Sequence, residues 1–340
     1  METTIEQTAM LPMDIKFIPT WLSWVGAVTP CLNALGVECD PTDVAGMSGY
    51  AFVMSVHKGM CPSGPTAFDW GTLNHGIHLL GRSTLIFCSG ESHCTEVGKT
   101  DLTRDHCKMA YEVAFREISE GRPAVIWGAY LPEFAVVNGA GDGKFHVKSI
   151  SGCHGAPEPP IPYDELEAPG GPYVLAFPTP TGNRENRHVE QHALVHAVDL
   201  LYAKNARRLY RMGLEAYDSW IAALEAGPDK PPCEKFSGFG NSYNAQCYAE
   251  AKAFALEFLK RCSTRHEFLK KPLKKAIKAY SDVSKAMSEV ARLFPFRDES
   301  AFQNEQNRTD AIQALKDGKS AEKSAAKALL KAIDIDWPKK

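Results

Sequence analysis

Two regimes of hydrophobic patterning divide the chain. Up to about residue 180, apolar residues come in short runs broken by Gly and Pro. From about residue 186 they recur at helical spacing among Ala, Lys, Leu and Glu. In the first regime, Thr20 to Leu35 has mostly helical spacing and stops at Gly36, with Pro30 predicting a kink or a late restart. Ala67 to Leu80 reads as a helix ending at Gly81, and Ser83 to Cys88 as a strand. Leu102 to Ser119 reads as a helix capped by Thr100 or Asp101 and ended by Gly121. Strands are expected at Ala124–Trp127, Phe134–Val137 and Lys144–Ile150, joined by turn residues that include Gly139 to Gly143. Tyr173 to Phe177, bounded by Pro172 and Pro178, reads as a last strand. Helices first and a mostly antiparallel sheet afterwards is an α+β order.

The second regime predicts long helices at roughly His188–Ala226, Tyr243–Cys262, Lys271–Leu293 and Asp298–Ile333, the last with a break near Gly318. Short polar connections between them point to an antiparallel bundle. Gly155 to Gly182 carries eight prolines between the regimes. The boundary is expected near residue 183, giving an α+β domain over 1–182 and an all-α domain over 183–340.

Composition changes this picture little. The chain has 340 residues, 44% of them hydrophobic and 23% charged, ample for one large domain or two. A net charge of -3 supplies no field toward nucleic acid or a membrane surface. Ten scattered cysteines without a C-x-x-C pair read as reduced thiols, which leads us to expect a cytoplasmic protein. The apolar run Phe17–Val28 is broken by Pro19 and too short to span a bilayer, and Met1 to Gln7 is acidic, so neither a signal peptide nor a membrane helix is expected.

Several segments carry a family resemblance, over most of residues 20–180. They are Gly46-Met47-Ser48-Gly49-Tyr50-Ala51-Phe52, the run Cys61 to Trp70, Gly121 to Trp127, Pro132 to Gly139, and Ile161 to Leu166. In order and spacing they resemble the N-terminal family of butirosin biosynthesis protein H, a papain-like branch related to the double-glycine peptidases. The resemblance implies a papain-like α+β domain with a helical C-terminal extension. It also implies acyl transfer from a carrier protein to an amine, so an acyl carrier protein and a small-molecule or peptide substrate are the implied partners. In that family a nucleophilic Cys lies about thirteen residues before a Gly such as Gly36, and this place falls on Ser23. The catalytic His opens the strand after the Pro-Ala-Val-Ile-type strand, and this place falls on Glu133. No Gln precedes Ser23, so the usual oxyanion donor is missing as well.

The candidate site therefore rests on Ser23, Glu133 and Cys61, with Trp21, Trp24, Ser48, Tyr50, Ser63, Asp69 and Phe134 as candidate substrate contacts from the same motifs. A Ser without a base is a poor nucleophile, whereas a carboxylate at Glu133 would bind an amine, or act as a base if burial raised its pKa. Cys61-Pro62-Ser63-Gly64-Pro65 forms a tight loop before the expected helix, a setting that lowers a thiol pKa or binds an anion. His188, His192 and His196 would form one stripe on a helix. The third lies too far along the axis to complete a compact metal site, and the acid at Glu190 is misplaced for a zinc-protease motif. We expect no metal and no cofactor. Lys260 to Lys278 is strongly basic but holds no aromatic stacking platform, so it does not read as a nucleic-acid surface. The expected function is that of an acyltransferase-like or amidohydrolase-like protein of specialised metabolism with an altered site. The alternatives are a non-catalytic relative that binds a small amine or peptide, and a structural partner subunit.

Overall fold

The computed structural model describes residues 8–88, 104–182, 186–203, 209–228, 237–335 and 337. In chain order the first elements are β1 (Ala9–Met10), α1 (Ser23–Ala34), α2 (Pro41–Met47), β2 (Ser55–His57), α3 (Asn74–Leu79) and β3 (Leu85–Cys88). They are followed by α4 (Arg104–Ser119), β4 (Ala124–Trp127), β5 (Phe134–Gly141), β6 (Lys144–Lys148), α5 (Ile150–Cys153), β7 (Ile161–Pro162) and β8 (Tyr173–Ala176). The rest are α6 (Asn186–Leu201), β9 (Tyr210–Met212), α7 (Leu214–Ala226), α8 (Ser237–Arg265), α9 (Glu267–Leu293), α10 (Ser300–Gln303) and α11 (Glu305–Ile333). The fold class is α+β. The caps expected at Thr100 or Asp101 lie outside the described residues. No described helix is long and apolar enough to cross a membrane.

The chain forms two compact units, Met1–Val44 with Leu80–Asn183, and Ala45–Leu79 with Arg184–Lys340. The first is built on a seven-stranded antiparallel sheet of order β3-β8-β4-β5-β6-β7, with β1 pairing the distal half of β5. Tyr173–Ala176 thus lies between β3 and β4, and all four of its residues are buried. Every residue of β4 and β5 is buried too, as expected of central strands. Helix α1 packs on β5 and β4, and its Val25, Val28, Cys31 and Leu32 are fully buried. Pro30 does not break it. Pro30 has no N–H to donate to the Gly26 carbonyl, and that carbonyl accepts the Ile18 N–H at 3.1 Å instead. The strand expected to reach Ile150 ends at Lys148, because Ser149 caps α5 by accepting the Ser151 N–H.

The second unit joins residues 45–79 to the C-terminal helices. The motif glycines explain part of this union. A Cβ at Gly46 would overlap the Phe258 ring on α8, and Gly49, at φ +77°, lies against Leu200 and His196 on α6. Beyond them Phe52 meets Phe258 and Tyr280 edge-on. The helix expected over Ala67–Leu80 is instead a 3-10 turn, Trp70–Leu73, followed by α3. Asp69 starts that turn by accepting the Gly71 N–H. The helix expected over His188–Ala226 is divided, since Tyr210–Met212 leaves it to pair with β2 and Gly213 restarts the chain at positive φ. Helix α11 runs through Gly318 without a break, and the real interruption is at Asn304, which caps α11 by accepting the Asn307 N–H. Helices α8 and α9 are joined at His266, and α9 packs extensively on α11.

Candidate functional site

The first unit brings Ser23 and Glu133 together, although 110 residues separate them. Ser23 opens α1, and Glu133 closes the β4–β5 hairpin, where its carbonyl accepts the Gly128 N–H and its own N–H donates to Leu131. The Ser23 hydroxyl donates to Glu133 Oε2 at 2.5 Å and accepts the Phe134 N–H at 3.1 Å. A single hydroxyl thus clamps the start of α1 to the start of β5. Ser23 is 4% exposed, while Glu133 is half-buried. Trp24 and Phe134 are fully buried core side chains. Phe134 packs against Trp127 and Tyr173 at ring separations of 4.9 and 5.9 Å. Trp21 is half-buried.

The other nominated residues belong to the second unit. Cys61 Sγ lies 2.9 Å from Ser63 Oγ, which lies 2.6 Å from the Tyr210 hydroxyl. The Tyr210 ring meets His57 edge-on, and Tyr210 also lines an open pocket of about 410 Å³ with Lys58, Arg211, Glu215, Asp218 and Ser219. The loop is pinned from behind, because the Asn244 side-chain amide donates to the carbonyls of Cys61 and Gly240. After Ser63 the chain makes a 3-10 turn of three residues, Gly64–Thr66, not the α-helix whose dipole would lower the thiol pKa. Ser48 and Tyr50 have local structural partners: Ser48 Oγ donates to Ala45 and accepts the Tyr50 N–H, and the Tyr50 hydroxyl donates to Pro65. Asp69 is the turn cap already described.

The histidine stripe also resolves. His188 and His192 are exposed, and His196 is half-buried with Nε2 3.1 Å from the Thr72 carbonyl. Burial pushes the His196 pKa down. His75 of α3 approaches the stripe, its ring 5.3 Å from His196 and 6.2 Å from His192. Among the described residues no group of three or more His, Cys, Asp or Glu is placed to hold a metal ion. Glu190 faces away from the stripe. It is fully buried, 2.6 Å from Arg265 Nη1 and 2.8 Å from His266 Nε2.

No model of a known protein family matches the chain, and no curated protein matches it.

One polar constellation has no counterpart in the sequence reading. In the second unit Lys252 and Glu322 are both fully buried and 2.8 Å apart. The Tyr217 and Tyr280 hydroxyls donate to the Glu322 oxygens at 2.8 and 3.0 Å, and Lys252 also donates to the Phe52 carbonyl. Burial, followed by the Glu322 charge, pushes both tyrosine pKa values well above 10. Phase was the available signal. Lys252 falls in step with Ala245, Tyr248, Ala255 and Leu259 on α8, and Glu322 with Ala311, Leu315, Ala325 and Leu329 on α11, all of them buried.

Proposed function

We propose that this is a papain-like protein in which Glu133 binds a small amine, or the amine end of a peptide, and in which thiol acyl transfer at the Ser23 position has been lost. The observation that carries the reading is the double engagement of Ser23 Oγ, as donor to Glu133 and acceptor from Phe134. A nucleophilic hydroxyl needs a base that can take its proton and an open approach for the substrate. Ser23 has a carboxylate beside it in place of the imidazole that a nucleophile of this kind uses. It is also almost fully buried. A half-buried carboxylate held at a fixed angle by a serine is instead suited to pairing with an ammonium group. The motif order described from the sequence supports the papain-like assignment, and the packing of α1 on β5 agrees with it.

The test is a ligand-observed binding measurement with n-butylamine, spermidine and triglycine against the wild-type chain and Glu133→Gln. Gln keeps an oxygen for Ser23, so the fold is preserved. Amine binding that falls at least about tenfold in Glu133→Gln supports the reading. Amine binding that is absent from the wild type, or unchanged in the variant, overturns it.

A second reading keeps the acyltransferase-like or amidohydrolase-like activity and moves it to Cys61. The Cys61–Ser63–Tyr210 chain beside an open pocket favours it. On that reading a thioester probe acylates the wild-type chain at Cys61 and leaves Cys61→Ala unlabelled.

A further inference from the structure

Helix α9 carries a run of cations on its solvent side. Lys271, Lys274, Lys275 and Lys278 are all exposed and recur at helical steps along one side. They form a single stripe about 10.5 Å long. The opposite face, Leu269, Leu273, Ala276 and Tyr280, is buried. Elsewhere on α9, Lys270 pairs with Glu267 and Arg292 with Glu289, each at 2.5 Å, while Lys285 is exposed like the stripe lysines. Among the described residues none of the four stripe lysines has an ion-pair partner. Lysines at these spacings repel one another on a helix surface, so the stripe works against the helix that carries it.

We propose that this stripe is a docking surface for an acidic α-helix of a protein partner. A helix with Glu or Asp at i, i+3, i+4 and i+7 presents carboxylates along two turns at the same pitch as the four ammonium groups. Such contact relieves the repulsion on α9 and adds attraction. Two other anionic partners fit less well. The stripe holds no aromatic side chain on which bases could stack, unlike a single-stranded nucleic-acid site. None of the exposed large hydrophobic side chains lies on α9, so it has nothing to insert into a bilayer.

The full chain would be titrated with a fluorescent stapled helical peptide bearing glutamates at i, i+3, i+4 and i+7. A peptide of the same composition with the glutamates scattered around the helix serves as its control. Phosphatidylserine–phosphatidylcholine vesicles and a short DNA duplex form the other arms. The proposal expects the matched peptide to bind at least about tenfold more tightly than the scattered one, and expects this binding to weaken with salt. It also expects K271E/K274E/K275E/K278E to lose the matched peptide while its unfolding temperature stays the same or rises. Should that variant not fold, the four Lys→Gln changes replace it, with the same loss expected. Equal binding of the two peptides, no binding of the matched peptide, retention by the quadruple variant, or tighter binding of the vesicles or duplex overturns the proposal.

Discussion

Two glutamates tie distant parts of this chain together, one in each unit, and their surroundings are opposite. Glu322 is sealed in the second unit, with Lys252, Tyr217 and Tyr280 filling its hydrogen-bonding positions. Glu133 is half-buried in the first unit, and Ser23 engages its Oε2. Burial makes Glu322 a structural group: its charge is matched inside the fold and nothing reaches it from outside. Glu133 keeps part of its surface in contact with solvent. The same side chain is thus sealed in one unit and reaches solvent in the other. The difference lies in the neighbours and not in the residue.

The comparison is broken most forcefully at Glu322. Glu322→Ala strands Lys252 as an unmatched buried charge and should cost about 3–5 kcal/mol in denaturant unfolding. The double change Lys252→Met with Glu322→Leu should recover most of that loss, because an apolar pair of similar volume avoids the desolvation penalty. An unchanged unfolding midpoint in Glu322→Ala would show that the quartet holds nothing.

Alkaline pH probes the same sealed region. Tyr217, Tyr248 and Tyr280 have folded pKa values raised well above 10, chiefly by burial. The unfolded chain therefore releases these protons first as pH rises. Their contribution to stability is complete below pH 10 and is lost above it, by roughly 1.4 kcal/mol per tyrosine for each pH unit. Tyrosinate absorbance should show three residues that ionise only as the protein unfolds.

At the other glutamate the effects shrink. Ser23→Ala removes the clamp between α1 and β5 and should cost about 1–2 kcal/mol, read as a lower unfolding midpoint. Glu133→Gln should change stability by less than about 0.5 kcal/mol while lowering amine binding at least about tenfold. A large stability loss from Glu133→Gln would make Glu133 a second Glu322 and remove the contrast.

Much of the fold was legible where local pattern and packing agree. Strands β4 and β8 and helices α4, α8 and α9 fall close to the runs that predicted them. The failures have physical causes. Tyr210–Met212 is too short to announce a strand, and it forms one only because β2, far away in the chain, arrives to pair with it. Gly318 looked like a break, but its missing Cβ makes room for the Tyr217 ring and Ala286, so packing outweighs helix propensity there. The Ser23–Glu133 pair could be anticipated only through motif order, since nothing in either local segment refers to the other. The Lys252–Glu322 pair left only phase as a signal, each residue falling in step with apolar ones on its own helix, and neither segment names the other as its partner.

Residues 45–79 leave one last consequence, in the timing of synthesis. Gly46 is seated against Phe258, and Met60 against Gly240, so each waits for a partner made about 180 to 210 residues later. At typical elongation rates that interval is roughly 10–40 s. For that time an emerging chain displays Phe52, Met54 and Val56 with nothing to cover them. The segment that helps found the helical unit thus stays exposed to non-native contacts until the last third of the chain is made.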